Sequence, residues 1–320
     1  MELIINTKYK NIKKVYQITH NDLDGVGCRV MANHIFGKHN VHTIHCHYDT
    51  VDEQVKGFIG NYIQDGKVLA DCPFDLFLIT DIYVSFETGL LLNYFSQVMN
   101  TRVVLLDHHA TALGLGVFDW AKVHDNNGTD KRSGTSMMWN EFLNDKNYAS
   151  ELNMFQESVR LYDTWLWKEQ KIQSPKMLND LLYIIGQESF VSRFTANASV
   201  DFTETEMAFL KAERRREFDY IQSKEKEMKE IEMDGMNFGM VYAEQYHSVL
   251  GNDLSLKYKH LHGIMIINPG ANKVSFRTVR DDVDLGRIVK ELYKGGGHAK
   301  AAGCALDDLM EVAQIHEKLI

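Results

Sequence analysis

The segment THNDLDGVGC carries one imidazole and two carboxylates at alternate positions, His20, Asp22 and Asp24. It directly follows VYQI, an apolar run that predicts a β-strand. Hard divalent cations prefer oxygen ligands, and two carboxylates this close repel each other unless a cation joins them. An EF-hand calcium loop is excluded, because its twelfth position needs a bidentate glutamate and would here be Met31. The segment therefore predicts part of a metal site.

Further acidic and imidazole groups stand at the ends of two later strands. Asp81 follows the apolar run LFLIT, and Asp107, His108 and His109 end the run VVLLDHH. Because the carboxyl ends of parallel strands line one edge of an open sheet, we expect these groups to converge with those after the first strand. A single acidic residue after a strand is often a helix cap. Three such strand ends are better explained by a cation, since buried carboxylates without partners are costly.

Asp163 lies in the helical segment VRLYDTWLWK, among large apolar and aromatic neighbours. Such neighbours predict that this stretch of helix is largely buried. A buried carboxylate needs a partner, and a metal ion is the obvious one.

The order of predicted elements indicates an α/β protein of two domains. Up to about residue 125, short β-rich runs alternate with helical stretches, which is typical of a parallel sheet. The segment 203–234 is strongly charged, has helix-forming composition and begins with Thr203 and Glu206 in capping-box spacing, so it predicts one long exposed helix. Strands and one helix follow it, which predicts a second, smaller α/β domain.

The segment GGGHAKAAG near the C-terminus is the second candidate site. Its glycines, Gly295, Gly296 and Gly297, allow a backbone to approach an anion closely and to present N–H groups to it. His298 and Lys300 add side-chain donors. A glycine turn that binds no ligand is the alternative interpretation.

Five motifs in this order resemble the DHH phosphoesterase family with its DHH-associated C-terminal domain. They are HNDLDG, the aspartate after a strand, DHH, the later helical aspartate, and GGGHAKAAG. The family includes RecJ single-strand exonucleases, nano-RNases that degrade very short oligonucleotides, and cyclic-dinucleotide phosphodiesterases. The resemblance implies three segments: a parallel-sheet DHH catalytic domain over 1–195, a helical linker over 196–234, and a smaller α/β substrate-binding domain over 235–320.

The resemblance also implies a site for two manganese ions, for which magnesium or cobalt could substitute. Asp22 would bind one ion, Asp24 and His108 the other, Asp81 would bridge the two, and Asp163 would complete the second site. Many members place a ligating histidine where this chain has an isoleucine, four residues before the first aspartate. His20 instead matches an HxDxD variant, in which it either binds a metal or lies beside the ligands.

Two further roles follow from the same resemblance. Asp107 would orient an imidazole, and His109 would face the scissile phosphate and stabilise or protonate the leaving oxygen. In the C-terminal domain, Arg277 of VSFRTVR and the run Gly295–His298 would hold the substrate's phosphate or terminal nucleotide.

Composition limits the substrates and the location. Lys+Arg 35 against Asp+Glu 44 gives a net charge of −9, which argues against a broad basic surface for duplex nucleic acid or a long track for a single strand. The chain has no apolar run of membrane-spanning length and no recognisable signal peptide, so we expect a soluble cytoplasmic protein. Its four cysteines have neither disulfide-framework nor zinc-site spacing.

The leading hypothesis is a manganese-dependent phosphodiesterase that removes mononucleotides from short single-stranded oligonucleotides or dinucleotides. Two bound metals would generate a hydroxide at neutral pH and clamp both oxygens of an in-line displacement at phosphorus. Cyclic dinucleotides, nucleoside bisphosphates and long single-stranded DNA remain alternative substrates. A catalytically inactive nucleotide-binding regulator is the alternative of a different class. The sequence leaves the oligomeric state open, a homodimer included.

Overall fold

The computed structural model describes residues 4–143 and 150–311. The chain divides into two compact units, residues 1–210 and 211–320. The division falls within one long helix, Glu204–Glu227. The predicted domain boundaries at 195 and 234 stay predictions.

The first unit is built on a five-stranded parallel sheet. Its strands are β1 (Val15–Thr19), β2 (Val41–His45), β5 (Leu76–Thr80), β6 (Arg102–Asp107) and β7 (Ala121–Val123), and a separate hairpin is formed by β3 (Ile63–Gln64) and β4 (Lys67–Val68). Their order across the sheet is β2-β1-β5-β6-β7, with every neighbouring pair parallel. The α/β class predicted from the alternating pattern is confirmed.

Helices cover both faces of this sheet, which is why its central strands are apolar on both sides. The helices are α1 (Leu23–Phe36), α2 (Val51–Gly60), α3 (Phe86–Val98), α4 (Gly134–Phe142), α5 (Glu151–Asp163), α6 (Leu166–Glu169), α7 (Ser174–Ile185) and α8 (Gln187–Ala196). Successive residues of β5 point to opposite faces. Leu76 and Leu78 therefore join one hydrophobic core, and Phe77 and Ile79 join the other.

The second unit has a six-stranded mixed sheet. Its elements are β8 (Lys229–Met233), β9 (Met236–Tyr242), α10 (His247–Lys257), β10 (Gly263–Asn268), β11 (Lys273–Arg277), α11 (Leu285–Tyr293), β12 (Gly296–His298) and β13 (Ala301–Ala305). The strand order is β12-β13-β11-β10-β9-β8, and only β9 and β10 form a parallel pair. The second α/β unit expected after the charged segment is therefore present.

The long helix α9 spans Glu204–Glu227, and its predicted start is confirmed. Glu206 N–H donates to the Thr203 hydroxyl, and Thr203 N–H donates to the Glu206 carboxylate. The prediction that the helix runs to residue 234 is wrong. The stretch KEIEM instead forms β8, because its alternation lets Ile231 and Met233 pack against the core of the second unit.

None of the helices within the described ranges combines the length and the apolar composition that crossing a membrane requires.

Candidate metal centre

The three strand ends singled out in the sequence meet at one edge of the first sheet. Strand β1 lies between β2 and β5, so the connections after β1 and after β5 leave to opposite sides of the sheet. This is the topological switch point, where open α/β sheets form their ligand-binding crevice. Asp22 follows β1, Asp81 follows β5, and His108 follows β6. The sheet therefore brings together side chains that are far apart in sequence.

The side chains fall into two groups that Asp81 links. In the first group, His20 Nδ1 lies 3.0 Å from Asp22 Oδ2 and 4.0 Å from Asp81 Oδ2. In the second group, Nε2 of His108 lies 3.5 Å from Asp24 Oδ2 and 3.5 Å from Asp163 Oδ2. The same nitrogen lies 3.2 Å from Asp81 Oδ1. In each group, one potential ligand atom per residue lies within 4.8 Å of the others.

Asp24 is held by the N-terminus of α4. The backbone N–H groups of Gly134 and Thr135 donate to its two carboxylate oxygens, and the Thr135 hydroxyl donates to its carbonyl. Burial opposes ionisation of this carboxyl, but the hydrogen bonds from His108 and Thr135 outweigh it and hold the pKa of Asp24 well below its usual range. Asp24 is therefore a fixed anion at neutral pH.

Asp81 is the least compensated charge of the cluster. Its side chain is buried, its backbone is left-handed with φ 55°, and its Oδ2 atom has no hydrogen-bond partner among the described residues. Burial raises the pKa of Asp81 well above its ordinary value, and the charges of Asp24 and Asp22 raise it further. A backbone held in this sparsely populated region is typical of functional sites.

These properties fit a divalent cation. The donor set combines carboxylate oxygens with imidazole nitrogens and contains no thiolate, which suits hard to borderline ions. A cation beside Asp81 would satisfy its orphaned oxygen and remove the repulsion among the neighbouring carboxylates. The ligand assigned to each ion stays a prediction.

His109 is held by the carboxylate that precedes it by two residues. Asp107 is completely buried, and its Oδ1 atom lies 2.8 Å from Nδ1 of His109. An ionised carboxylate only accepts hydrogen bonds, so Nδ1 of His109 carries the hydrogen and Nε2 is left free for another partner. His109 is thus placed at the same edge of the sheet, beside His108, with ring centroids 4.4 Å apart.

Gly25 leaves room for the backbone turn that carries the first carboxylates. A Cβ atom at this position would lie 2.1 Å from the carbonyl oxygen of His20. Gly25→Ala is therefore expected to lower the free energy of unfolding by about 2 kcal/mol or more. Gly57 is the matched control, because it lies in α2 with no heavy atom within 4 Å of a built Cβ. Gly57→Ala should be neutral or stabilise by up to about 1 kcal/mol. Denaturant unfolding measures both, and equal stabilities of the two variants would contradict this account.

Part of the second predicted site lies around a pocket of about 390 Å³ in the second unit. Arg277, Gly296 and Gly297 line it, together with Lys273 and Ser275, whereas Gly295 and His298 are not among its lining residues. His298 follows in β12 and is exposed.

The guanidinium of Arg277 is a candidate anion binder in this pocket. It donates to two neutral oxygens, the Phe276 carbonyl at 2.9 Å and the Ser248 hydroxyl at 3.2 Å. Burial lowers the pKa of Arg277. A partly buried cation with neutral partners is suited to bind an anion. Arg280 is different, because Asp282 holds its guanidinium with two hydrogen bonds.

The glycines of this segment have structural roles of their own. A Cβ at position 295 would lie 2.2 Å from the carbonyl oxygen of Gly303, and Gly297 has a φ of 143°. Position 296 faces open space. Close packing of β12 against β13 therefore explains two of the three glycines without a ligand, and an anion contact at their N–H groups stays a prediction.

Comparison with known proteins agrees with the geometry. The chain is 34% identical over 303 residues to oligoribonuclease NrnB of Bacillus subtilis (strain 168), covering 91% of this chain and 72% of that protein. Residues 248–320 match the DHHA1 domain model. The chain belongs to the DHH phosphoesterase family. The family predicted from the five motifs is thus confirmed, and the protein is a metal-dependent phosphodiesterase.

Solved structures show the same fold as this DHH phosphoesterase. The pGpG-specific phosphodiesterase PggH of Vibrio cholerae is 16% identical, with a TM-score of 0.54, and the match covers 94% of this chain and 97% of that one. The exonuclease RecJ bound to manganese is 14% identical, with a TM-score of 0.55, covering 93% and 87%. At these identities the likeness is one of fold.

Metal binding by this DHH phosphoesterase is expected to weaken as the pH falls from about 8 to about 6. Burial raises the pKa of Asp163 to about 7, although the charge of His108 opposes this. Burial lowers the pKa of His108, but Asp163 and Asp24 more than offset it and raise it to about 9. Near neutral pH His108 therefore keeps its proton and Asp163 is about half protonated. A metal must displace these protons, and the competition grows as the pH falls.

Isothermal titration with manganese checks this expectation at several pH values, in two buffers of different ionisation enthalpy. Each proton released should weaken the apparent affinity by about tenfold per pH unit below the pKa of its group. An affinity that is constant between about pH 6 and 8 would contradict it.

Two residues that contact the histidines of the DHH motif were not predicted from the sequence. Nδ2 of Asn126 lies 3.0 Å from Nδ1 of His108. The same Nδ2 group donates to the Arg132 carbonyl, and the Arg132 N–H donates to Oδ1 of Asn126. The Tyr48 hydroxyl lies 3.0 Å from Nε2 of His109. Only its position just after β2 could have indicated that Tyr48 lies at the same edge of the sheet as the metal centre.

Proposed function

We propose that this protein hydrolyses short single-stranded oligonucleotides to nucleoside monophosphates, with manganese as the preferred metal. One observation carries the proposal. Asp81 links two groups of Asp and His side chains at the switch point of the sheet, in a chain 34% identical to an oligoribonuclease.

The side chains of the first unit provide the parts that this reaction needs. Two divalent ions, when bound, would activate a water molecule and neutralise the charge that develops at phosphorus. Asp22, Asp24, Asp81, His108 and Asp163, with His20 beside them, would hold these ions. His109 would contact the leaving oxygen through Nε2, because Asp107 already occupies Nδ1. No protein nucleophile is required.

In the second unit, which contains the DHHA1 match, Arg277 would bind a phosphate of the substrate. The preference for short strands has a physical basis. A long single strand needs a positively charged groove with stacking aromatics, and this chain has a net charge of −9. A single partly buried guanidinium suits one phosphate or one terminal nucleotide.

Product analysis tests the proposal directly. The substrates are 5′-labelled RNAs of two, five and twenty-four nucleotides, with cyclic di-AMP and cyclic di-GMP, each assayed with manganese, with magnesium and with chelator. We expect the two shorter RNAs to disappear fastest, and only with metal. Faster turnover of the longest strand or of a cyclic substrate would overturn the substrate assignment. Equal turnover in chelator would overturn the metal mechanism.

A further inference from the structure

Tyr48 lies at the rim of the metal centre and touches both of its outer imidazoles. It stands three residues after the end of β2. Its ring centroid is 5.0 Å from the ring of His20, 5.6 Å from that of His109 and 5.3 Å from that of Tyr83. The residue is 40% exposed. One part of the ring therefore packs inside the site while another part faces solvent.

The hydroxyl of Tyr48 lies against the imidazole of His109, nearer to Nε2 than to Nδ1. It lies 3.0 Å from Nε2 and 3.5 Å from Nδ1, and Asp107 Oδ1 lies 2.8 Å from Nδ1. Because the carboxylate can only accept, Nδ1 carries the hydrogen of the neutral imidazole and Nε2 is an acceptor. At 3.5 Å from Nδ1, the Tyr48 hydroxyl lies beside the ring and not on the in-plane axis of Nε2, so that axis stays open for the substrate. In this arrangement Asp107 and Tyr48 contact the ring at different points.

Two partners restrain an imidazole more than one does. A single hydrogen bond from Nδ1 leaves the ring free to tilt about that contact, whereas a second contact beside the ring limits that tilt. Small displacements of a reacting group cost large factors in rate. The direction of Nε2 therefore depends on Tyr48 as well as on Asp107.

We propose that Tyr48 is a positioning residue, which holds His109 with Nε2 directed into the reaction site. The inference rests on the proposed function, because the orientation of His109 affects the rate only if His109 contacts the leaving oxygen. Tyr48 would act through His109 and not on the substrate. Loss of its hydroxyl should therefore matter only while His109 is present.

A double-mutant cycle tests this dependence. Tyr48→Phe removes the hydroxyl and keeps the ring that packs against His20 and Tyr83. With the two-nucleotide RNA and saturating manganese, we expect Tyr48→Phe to lower kcat by about tenfold, with KM changed less than about twofold. His109→Ala should lower kcat by about a hundredfold or more. In the His109→Ala background, Tyr48→Phe should change kcat by less than about twofold.

The other outcomes overturn the proposal. A tenfold loss that persists without His109 would mean that Tyr48 acts on the substrate directly. A fall in KM with unchanged kcat would mean that the hydroxyl competes with the substrate for Nε2. An unchanged kcat and KM would mean that the contact has no role. Tyr94→Phe is the matched control, because it removes a surface hydroxyl that donates to the Gly66 carbonyl and should retain wild-type kinetics.

A second measurement separates this proposal from the proposed function. If the wild-type protein cleaves none of the substrates above, the proposed function fails, and the contact is still measurable by nitrogen-15 NMR of histidine-labelled protein in chelator. Tyr48→Phe should shift the Nε2 resonance of His109, and Tyr94→Phe should leave it in place. An Nε2 resonance that is the same in all three proteins would overturn the positioning role.

Discussion

The Asp81→Asn protein is expected to lose at least about a thousandfold in kcat against short RNA. Asp81 is the side chain that links the two Asp and His groups, through His20 on one side and His108 on the other. Asparagine keeps the shape of the side chain and tolerates the left-handed backbone at this position, so the change removes the charge rather than the fold.

The same variant should be at least as stable as the wild type when no metal is bound. The pKa of Asp81 is raised by burial and by neighbouring carboxylates. The folded state therefore holds this proton more tightly than the unfolded state, and the stability of the wild type falls as the pH rises above the ordinary aspartate pKa of 3.8. Asparagine carries no such charge. In chelator near neutral pH, its melting temperature should equal or exceed that of the wild type.

Kinetics and thermal unfolding, each with manganese and with chelator, check both parts of this prediction. Manganese should raise the Tm of the wild type by several degrees and that of Asp81→Asn by clearly less. Asp71→Asn is the control, because Asp71 is an exposed residue of the same unit. Full manganese-dependent turnover by Asp81→Asn would refute the assignment of Asp81 to the metal centre.

The Arg277→Met protein is expected to bind substrate more weakly while keeping most of its turnover at saturation. Hydrogen bonds to a charged group contribute about 1.5 to 3 kcal/mol, so KM should rise by about tenfold to a hundredfold and kcat should fall by less than about fivefold. Methionine replaces the aliphatic stem of the arginine, which packs against Gly251, and removes the cation. The defect should therefore lie in binding rather than in folding.

Initial-rate kinetics with the two-nucleotide and five-nucleotide RNAs measure this effect. Arg287→Met is the matched control, because Arg287 lies on the surface of α11 beside Glu291 and lies outside the proposed pocket. A KM for Arg277→Met that matches the control would remove Arg277 from the substrate site. A loss confined to kcat would assign it to the chemical step instead.

The strand-end groups could be predicted from the sequence because their positions follow from two local patterns. Apolar runs fix where the strands β1, β5 and β6 end, and a parallel sheet then brings those ends to one edge. The positions of Asp22 and Asp81 could be predicted from these two patterns alone. The start of α9 could also be predicted from a local pattern, since Thr203 and Glu206 are three residues apart and form hydrogen bonds with each other.

The remaining contacts depend on tertiary placement that no local pattern carries. Tyr48 follows β2, and it meets His109 only because β2 lies beside β1 at the switch point. Asn126 reaches His108 through a loop whose course is set by its bonds to Arg132. The end of α9 at Glu227 was missed because charged residues with good helix propensity continue into β8, where pairing with β9 decides the structure.

The parallel ladder between β1 and β5 also decides where the chain tolerates changes in length. Thr19 pairs with Thr80, and each neighbouring carboxylate lies only a few residues beyond this pair. One residue inserted between Thr19 and Asp22, the N-cap of α1, would change the position of this carboxylate relative to Asp81. The exposed turn at Asp65–Gly66 joins β3 to β4, well before β5 begins. Peptide tags or whole domains inserted there should leave the strand ends in register, so evolution and engineering can lengthen the chain at this turn.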